Sequence, residues 1–170
     1  MPPLVRPEDT ADIAEQTAIR SVNEAAFGGS DEADLVDDLR HGGHVLLSLV
    51  AECGQRLVGH IMFSRMWVET ASTRIPAVAL APVAVLPEFQ RKGIGGRLIE
   101  HGLALLKMQG EQIVIVLGHP AYYPRFGFST AKAALLESPF PREAFMALEI
   151  SGAALAGVRG RVIYPPPFGI

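Results

Sequence analysis

Residues 83–98 read VAVLPEFQRKGIGGRL, and this stretch predicts a buried strand that passes through a turn into a helix. The apolar run is interrupted at Pro87, and three glycines stand at the start of the following helix. A helix N-terminus has free N–H donors and a partial positive charge, and glycines let the backbone come close to an anion. Arg91, Lys92 and Arg97 add positive charge. The stretch therefore predicts a phosphate site, for which a pyrophosphate is the natural ligand.

The glycine loop, residues 90–96, matches neither of two common nucleotide-binding patterns. No Lys-Ser or Lys-Thr pair follows its last glycine, as a Walker P-loop requires. Its glycines also lack the full spacing of a dinucleotide-binding fingerprint. The alternative is that the glycines only form a turn and that the cations form a solvated face. Composition alone leaves these two interpretations about even.

Composition limits the chain to a few classes of protein. Its 170 residues are 49% apolar and 19% charged, which predicts one globular domain over residues 1–170. The net charge of −3 disfavours a general binder of nucleic acid or of anionic membranes. The single Cys53 cannot form a disulfide within the chain, and residues 1–10 lack the apolar stretch of a signal peptide. The longest apolar run, residues 77–86, is too short to span a membrane, so we expect a cytoplasmic protein.

The periodicity of apolar residues predicts both helices and strands. A first helix is predicted at residues 9–27, with Asp9 or Thr10 as its cap. A second helix is predicted to begin after a cap at Ser30, and a third to span residues 93–108. Strands are predicted at residues 4–6, 45–53, 56–69, 75–86, 112–117, 145–150 and 158–164. A glycine turn between the second and third strands favours an antiparallel hairpin, and the strand–helix–strand order around the glycine loop favours a parallel pair. The chain is therefore predicted to be an α/β domain with a mixed sheet.

Two short motifs resemble those of one known family. Residues 90–95, QRKGIG, resemble the Q/R-x-x-G-x-G/A signature of the GNAT superfamily of acyl-CoA N-acyltransferases, and residues 80–88 are similar to the strand before that signature. Residues 122–128, YYPRFGF, are similar to the Y-x-x-x-G-F ending of the same family. The order of helices and strands resembles the family over nearly the whole chain. Two motifs in the right order are strong for the superfamily and say little about the substrate.

The resemblance implies a particular fold. It implies a mixed, mostly antiparallel central sheet of six to seven strands, flanked by helices. The strands at residues 77–86 and 113–117 would run parallel and then splay apart, with the pantetheine arm of the cofactor between them. Pro82 would lie at a bulge in the first of these strands, since proline cannot donate to a strand ladder.

The resemblance also implies the cofactor, acetyl-CoA, as the acyl-donor cosubstrate. The residues expected to bind it are Val83, Ala84, Val85, Gln90, Arg91, Lys92, Gly93, Ile94, Gly95, Gly96, Arg97, Tyr123 and Phe126. No metal is expected, because His41 and His44 flank a Gly-Gly turn and no second pair of ligands accompanies them.

The family's chemistry implies that an amine attacks the thioester directly, without an acyl-enzyme. The departing thiolate then needs an acid, and Tyr123 at the tyrosine position of the second motif is the candidate. The developing oxyanion needs a donor, which the resemblance assigns to a backbone N–H near Val83. The alternative for Tyr123 is a half-buried packing aromatic.

The base that deprotonates the amine is not specified by the sequence. Glu24 on the first helix is a candidate, although a solvated helix carboxylate is the commoner case. His60 in the third strand is a second candidate, although a hydrogen-bonded core histidine is commoner. His119 stands where the family often has asparagine, and could serve the acceptor or cap the following turn. Deprotonation through water is equally open.

Three functions remain open at this point. The first is acetylation of a primary amine on a small molecule, and the second is acetylation of a protein lysine or N-terminus. The third is an acyl-CoA-binding module without turnover, against which the presence of Tyr123 counts modestly. In each case no nucleic-acid or membrane partner is expected, and a homodimer is left open.

Overall fold

Eight β-strands and three α-helices make up the regular structure of residues 2–170, the part of the chain that the computed structural model describes. The strands are β1 (Leu4–Pro7), β2 (Val45–Cys53), β3 (Arg56–Glu69), β4 (Arg74–Val85), β5 (Ile113–Leu117), β6 (Leu136–Glu137), β7 (Phe145–Glu149) and β8 (Gly160–Ile163). The helices are α1 (Ile13–Phe27), α2 (Asp31–His41) and α3 (Ile94–Met108). Short 3₁₀ helices follow β4 at Pro87–Phe89 and β5 at Tyr123–Phe126.

The strands form a mixed sheet in which antiparallel neighbours dominate. Its order is β1-β2-β3-β4-β5-β7, and β8 pairs with both β3 and β6 outside that path. Parallel pairing joins β4 to β5 and β6 to β8. The predicted mixed, mostly antiparallel sheet flanked by helices is confirmed. The sheet has one strand more than the upper predicted number, because the two residues of β6 are too few to carry a pattern.

The parallel pairing of β4 and β5 is short. Val78 pairs with Val114 and Ala79 with Ile115, although β4 continues to Val85. A parallel pair of this kind needs a crossover connection, and α3 provides it. The predicted parallel pair around the glycine loop is therefore confirmed.

The helices and strands belong to two compact units. The first consists of the chain up to Phe63 together with Ala81–Gly102, and contains β1, β2, α1, α2 and the glycine loop. The second consists of Ser64–Leu80 and Leu103–Ile170, and contains β5 to β8. Strands β3 and β4 and helix α3 each contribute residues to both units. That residues 1–170 form a single domain stays a prediction.

In the first unit, β3 packs closely against the start of α3. A Cβ added at Gly59 would lie 3.1 Å from Leu98 Cδ1 and 3.2 Å from Ile94 Cγ2, so glycine permits this approach. The Leu86 N–H donates a hydrogen bond to the Val58 C=O at 2.9 Å. These contacts hold the chain firmly on both sides of the glycine loop.

In the second unit, the strands enclose an apolar core. Its buried members are Met66, Val68, Ala77, Ala79, Ile113, Ile115, Ala133, Leu136, Phe145, Ala147, Leu155 and Val162. Ile113 and Ile115 of β5 belong to this core, Val114 and Val116 are buried as well, and Leu117 is exposed where the strand ends. The residues that follow β5 therefore start from a firmly packed strand.

The starts of α1 and α2 differ from the predictions. Helix α1 begins at Ile13 and is capped by Asp12, whose carboxylate accepts a hydrogen bond from the backbone N–H two residues later at 2.9 Å. Asp9 and Thr10 are therefore not its cap, and the Asp9 carboxylate accepts a hydrogen bond within the preceding turn. Ser30 occupies the predicted cap position of α2, but its side chain makes no capping hydrogen bond.

Candidate functional site

The glycine loop (residues 90–96) joins the 3₁₀ turn at Pro87–Phe89 to the start of α3. The first backbone hydrogen bond of the helix runs from the Arg97 N–H to the Gly93 C=O at 3.1 Å. The N–H groups of residues 94–96 precede that bond and have no partner within the helix. Free N–H groups and the positive end of the helix dipole together suit an anion.

Left-handed backbone conformations shape the loop. Gly93 has a φ of 81°, which glycine adopts without cost, and an added Cβ would meet nothing within 4 Å. Arg91 has a φ of 62° and is the one non-glycine residue within 2–170 whose φ is positive. Such conformations are uncommon for a long side chain and concentrate at ligand-binding sites. The shape of the glycine loop therefore comes from the positive φ angles at Arg91 and Gly93 and not from crowding by side chains.

The Gln90 side chain links the glycine loop to the end of strand β4. Its Nε2 donates a hydrogen bond to the Val85 C=O at 3.0 Å. Gln90 was predicted to bind the cofactor. In the described contacts its amide closes the turn, which holds the following residues in place, and a direct contact with the cofactor stays a prediction.

Exposed cations surround the glycine loop. Arg91, Lys92 and Arg97 are exposed and form no ion pair with another residue of the range 2–170. Lys92 Nζ lies 5.4 Å from the centroid of the Phe89 ring, and Arg56 Cζ lies 5.6 Å from the same centroid. Arg56 begins β3 and was missed by sequence reasoning, because no local pattern connects it to the loop.

The tyrosine turn, residues 118–128, follows β5 in the second unit. The Tyr123 side chain is buried, with 8% of the residue exposed. Its ring makes edge contacts with the rings of Tyr122, at a centroid distance of 5.1 Å, and of Phe128, at 5.8 Å. Burial, with a smaller contribution from Tyr122, raises the pKa of Tyr123 from 10.0 to about 12. The phenol is therefore protonated throughout the neutral range.

Backbone hydrogen bonds hold the tyrosine turn. The His119 C=O accepts from the Tyr122 N–H at 3.0 Å and from the Tyr123 N–H at 3.3 Å, so the His119 backbone begins the turn. The His119 side chain is exposed. Phe126 packs edge-on against the Tyr122 ring at 5.3 Å.

Glu24, the first candidate base, lies on the exposed face of α1. Its Oε1 is 3.3 Å from Arg20 Nε, one turn away. Arg20 also contacts Asp34 and Asp37 of α2, at 2.8 Å each. Glu24 therefore belongs to an exposed network of carboxylates around one arginine, and its role as a base stays a prediction.

His60, the second candidate base, is fully buried between α1 and β2. Its Nδ1 lies 3.2 Å from Asn23 Nδ2, and its Nε2 lies 2.9 Å from Ser48 Oγ. Asn23 Nδ2 also donates to the Ile19 C=O at 3.0 Å, so it is a donor in both contacts. His60 Nδ1 then accepts a hydrogen bond, and Nε2 carries the proton that is donated to Ser48.

The surroundings of His60 favour its neutral form. Burial, with a smaller contribution from the positive charge of Arg40, lowers the pKa of His60 from 6.5 to about 3. Both ring nitrogens are hydrogen-bonded and the residue has no exposed surface. These contacts favour a core histidine over a base, and a catalytic role for His60 stays a prediction.

Within residues 2–170, no group of three or more His, Cys, Asp or Glu side chains could hold a metal ion. None of the helices in the same range is long and apolar enough to cross a membrane.

A helix start that suits an anion follows strand β4, on a mixed sheet with a parallel β4–β5 pair, which is the arrangement that the resemblance implied. Residues 9–131 match the family model described as an acetyltransferase (GNAT) domain. The chain therefore belongs to the GNAT acetyltransferase family, as its two motifs predicted, and it is an acyltransferase.

Relatives of known sequence or structure support this assignment. The uncharacterised N-acetyltransferase YjhQ of Escherichia coli K12 is 44% identical over 119 residues, which are 69% of this chain and 66% of YjhQ, slightly less than two thirds. The crystal structure of YhbS from Escherichia coli in complex with CoA is 32% identical, with a TM-score of 0.89 over 100% of this chain and 93% of that chain. A GNAT acetyltransferase from Brucella melitensis in complex with acetyl-CoA is 33% identical, with a TM-score of 0.80 over 98% and 97% of the two chains.

The predicted site residues thus fall into separate groups. The candidate cofactor residues between Val83 and Arg97 are close in the sequence and lie in the first unit, together with Glu24 and His60. Tyr123 and Phe126 share the tyrosine turn of the second unit. The contacts of Gln90 with Val85 and of His60 with Asn23 and Ser48 are what the tertiary structure adds.

Proposed function

We propose that the protein transfers an acetyl group from acetyl-CoA to a primary amine, by direct attack within a ternary complex, and that the acceptor is a small molecule. The observation that carries this proposal is the glycine loop: N–H groups at the start of α3 without a helical partner, beside three exposed cations that form no ion pair within residues 2–170. The loop suits the pyrophosphate of coenzyme A on charge and on backbone chemistry. Two relatives whose structures contain CoA or acetyl-CoA support the same cofactor.

The cofactor site would consist of backbone and side-chain contacts. The N–H groups of residues 94–96 would donate to phosphate oxygens, and Arg91, Lys92 and Arg97 would neutralise their charge. The backbone of Val83 to Val85 would pair with the pantetheine arm. The Val85 C=O already accepts a hydrogen bond from Gln90, so we assign the pairing chiefly to Val83 and Ala84.

The acid would be Tyr123, which would donate its phenolic proton to the departing thiolate. A phenol with a pKa of about 12 is a weaker acid than a free phenol, which disfavours the transfer. Loss of solvent around the departing group also raises the pKa of its thiol. The thiolate then accepts a proton more readily, and this favours the transfer. The phenol carries its proton at neutral pH, as a general acid must before the reaction.

The base would act before attack, because only the neutral amine is nucleophilic. Glu24 is exposed, so its carboxylate could accept a proton directly or through water. His60 has no exposed surface and would need a change of structure to reach an amine. We therefore rank Glu24 or bulk water above His60.

The proposed function is tested by measuring CoA release from acetyl-CoA with a panel of amines. The panel contains aliphatic amines, aminoglycosides, polyamines, lysine peptides and peptides with free N-termini. Turnover that is fastest with a small amine supports the proposal, and turnover only with peptides assigns the protein acetyltransferase alternative. Binding of acetyl-CoA without turnover across the whole panel would assign the non-catalytic module instead.

A further inference from the structure

Gly118, the residue after β5, lies directly against the ring of Tyr123. A Cβ added at Gly118 would be 2.2 Å from Tyr123 Cε2, 2.7 Å from Cδ2 and 3.2 Å from Cζ. The first two distances are shorter than any real Cβ contact. The aromatic ring therefore occupies the space that a side chain at position 118 would need.

The two residues cannot easily move apart, because each is held by backbone hydrogen bonds. The Gly118 N–H donates to the Ala144 C=O at 2.9 Å, which fixes it to the residue before β7. The Tyr123 N–H donates to the His119 C=O at 3.3 Å. Edge contacts with Tyr122 and Phe128 limit movement of the Tyr123 ring within the turn.

Space, and not backbone conformation, is what requires glycine at position 118. Its φ lies outside the left-handed range, so its backbone is open to any residue. Gly93 in the glycine loop is the opposite case, with a φ of 81° and free space around it. Position 118 therefore requires glycine because the Tyr123 ring occupies the space of a side chain.

We propose that Gly118 is a positioning residue that sets where the Tyr123 phenol stands at the end of β5. This inference rests on the proposed role of Tyr123 as the acid. The Tyr123 ring packs directly on the Gly118 backbone. Any side chain at position 118 therefore displaces the ring and its phenolic oxygen. A displacement of about 1 Å is enough to lower the rate of a positioned reaction by as much as ~10²-fold.

The test compares Gly118→Ala with a matched control, Gly102→Ala. A Cβ at Gly102 would lie 2.4 Å from Phe63 Cε2 and 2.6 Å from Cζ, so the control also pushes an aromatic ring, one with no proposed role in the reaction. We expect Gly118→Ala to lower kcat by at least ~10-fold while the KM for acetyl-CoA stays within about twofold. Gly102→Ala should lower the melting temperature similarly and keep kcat. Unchanged kcat in Gly118→Ala, or an equal loss of kcat in both variants, overturns the inference.

Tyr123→Phe separates this inference from the role of Tyr123. Phenylalanine keeps the ring and removes the hydroxyl, so kcat should fall, and adding Gly118→Ala should then lower kcat little further. If Tyr123→Phe keeps full kcat, the proposed acid is wrong. If Tyr123→Phe lowers kcat but Gly118→Ala does not, only the positioning role is wrong. Should Gly118→Ala alone fail to fold, adding Tyr123→Leu should restore folding, and failure to restore it overturns the contact.

Discussion

The glycine loop and the tyrosine turn contrast in how they are held in shape. The loop is exposed and charged, and its form comes from backbone angles at Arg91 and Gly93 and from one hydrogen bond made by Gln90. The turn is aromatic and buries Tyr123 and Phe128, and the position of Tyr123 comes from the rings and backbone packed around it. The difference teaches that a glycine can be required for two reasons, conformation in the first region and space in the second.

The contrast has a functional consequence. The free N–H groups and exposed cations of the glycine loop are proposed to bind the phosphates, so changes there should alter the affinity for acetyl-CoA. The buried phenol of Tyr123 is proposed to donate a proton, so changes there should alter kcat. Three predictions examine this division and a fourth concerns the buried His60, beginning with the largest expected effect.

Gly95→Glu should abolish measurable binding of acetyl-CoA. The added carboxylate would occupy the anion site and repel the phosphates, while charge-assisted hydrogen bonds of about 1.5–3 kcal/mol each would be lost. We expect affinity to fall by at least ~10²-fold in calorimetric titration. Gly29→Glu is the control, since Gly29 is exposed and an added Cβ would meet nothing within 4 Å. Unchanged affinity in a folded Gly95→Glu variant would exclude the pyrophosphate assignment.

Tyr123→Phe should lower kcat by about 10²-fold, the lower end of what general acid catalysis contributes. The KM for acetyl-CoA should change little, because the hydroxyl is proposed to act on the departing thiolate and not on the phosphates. Steady-state kinetics at saturating amine measures both constants. A large rise in KM with unchanged kcat would move Tyr123 from the chemical step to cofactor binding and would break the division between the two regions.

Acidification should destabilise the protein through His60. Its folded pKa of about 3 lies below the unfolded value of 6.5, so between these values the unfolded state binds more protons. Stability is then present above pH 6.5 and is lost as pH falls, by up to about 1.4 kcal/mol per unit. His60→Gln should flatten the pH dependence measured by urea unfolding. Equal slopes in the two proteins would mean that His60 binds the same number of protons in the folded and unfolded states, so that its folded pKa is not lowered.

Gly93→Ala should have the smallest of these effects. Alanine at a positive φ costs about 1 kcal/mol or more, which would be felt as a fall in stability or as a several-fold loss of affinity for acetyl-CoA. Gly93→Asn should lose less, since asparagine tolerates the left-handed region. Titration and thermal unfolding of both variants measure the difference. If alanine and asparagine behave alike, conformation is not what requires glycine here.

Much of the fold followed from local patterns. The predicted bounds were close to the observed ones for the β2–β3 hairpin, for the strand before the glycine loop and for α3. Each of these elements is a long periodic run ended by glycine or proline. The start of α1 was wrong, because Asp9 and Asp12 both offer a cap and the sequence does not rank them. Strand β6 was missed because its two residues pair only through β8, far along the chain.

By itself, the sequence determined the family, the glycine loop and the tyrosine motif, since each is a contiguous run whose chemistry depends on neighbouring residues. The tertiary structure alone decided which separate residues meet. It placed Arg56 beside the Phe89 ring, gave His60 its two partners Asn23 and Ser48, and set Gly118 against Tyr123. Contacts between strands and helices depend on register and packing, which no local pattern encodes. Positions 93 and 118 are both glycine in the sequence. Only their surroundings in the structure show that Gly118 is required by space and Gly93 by conformation.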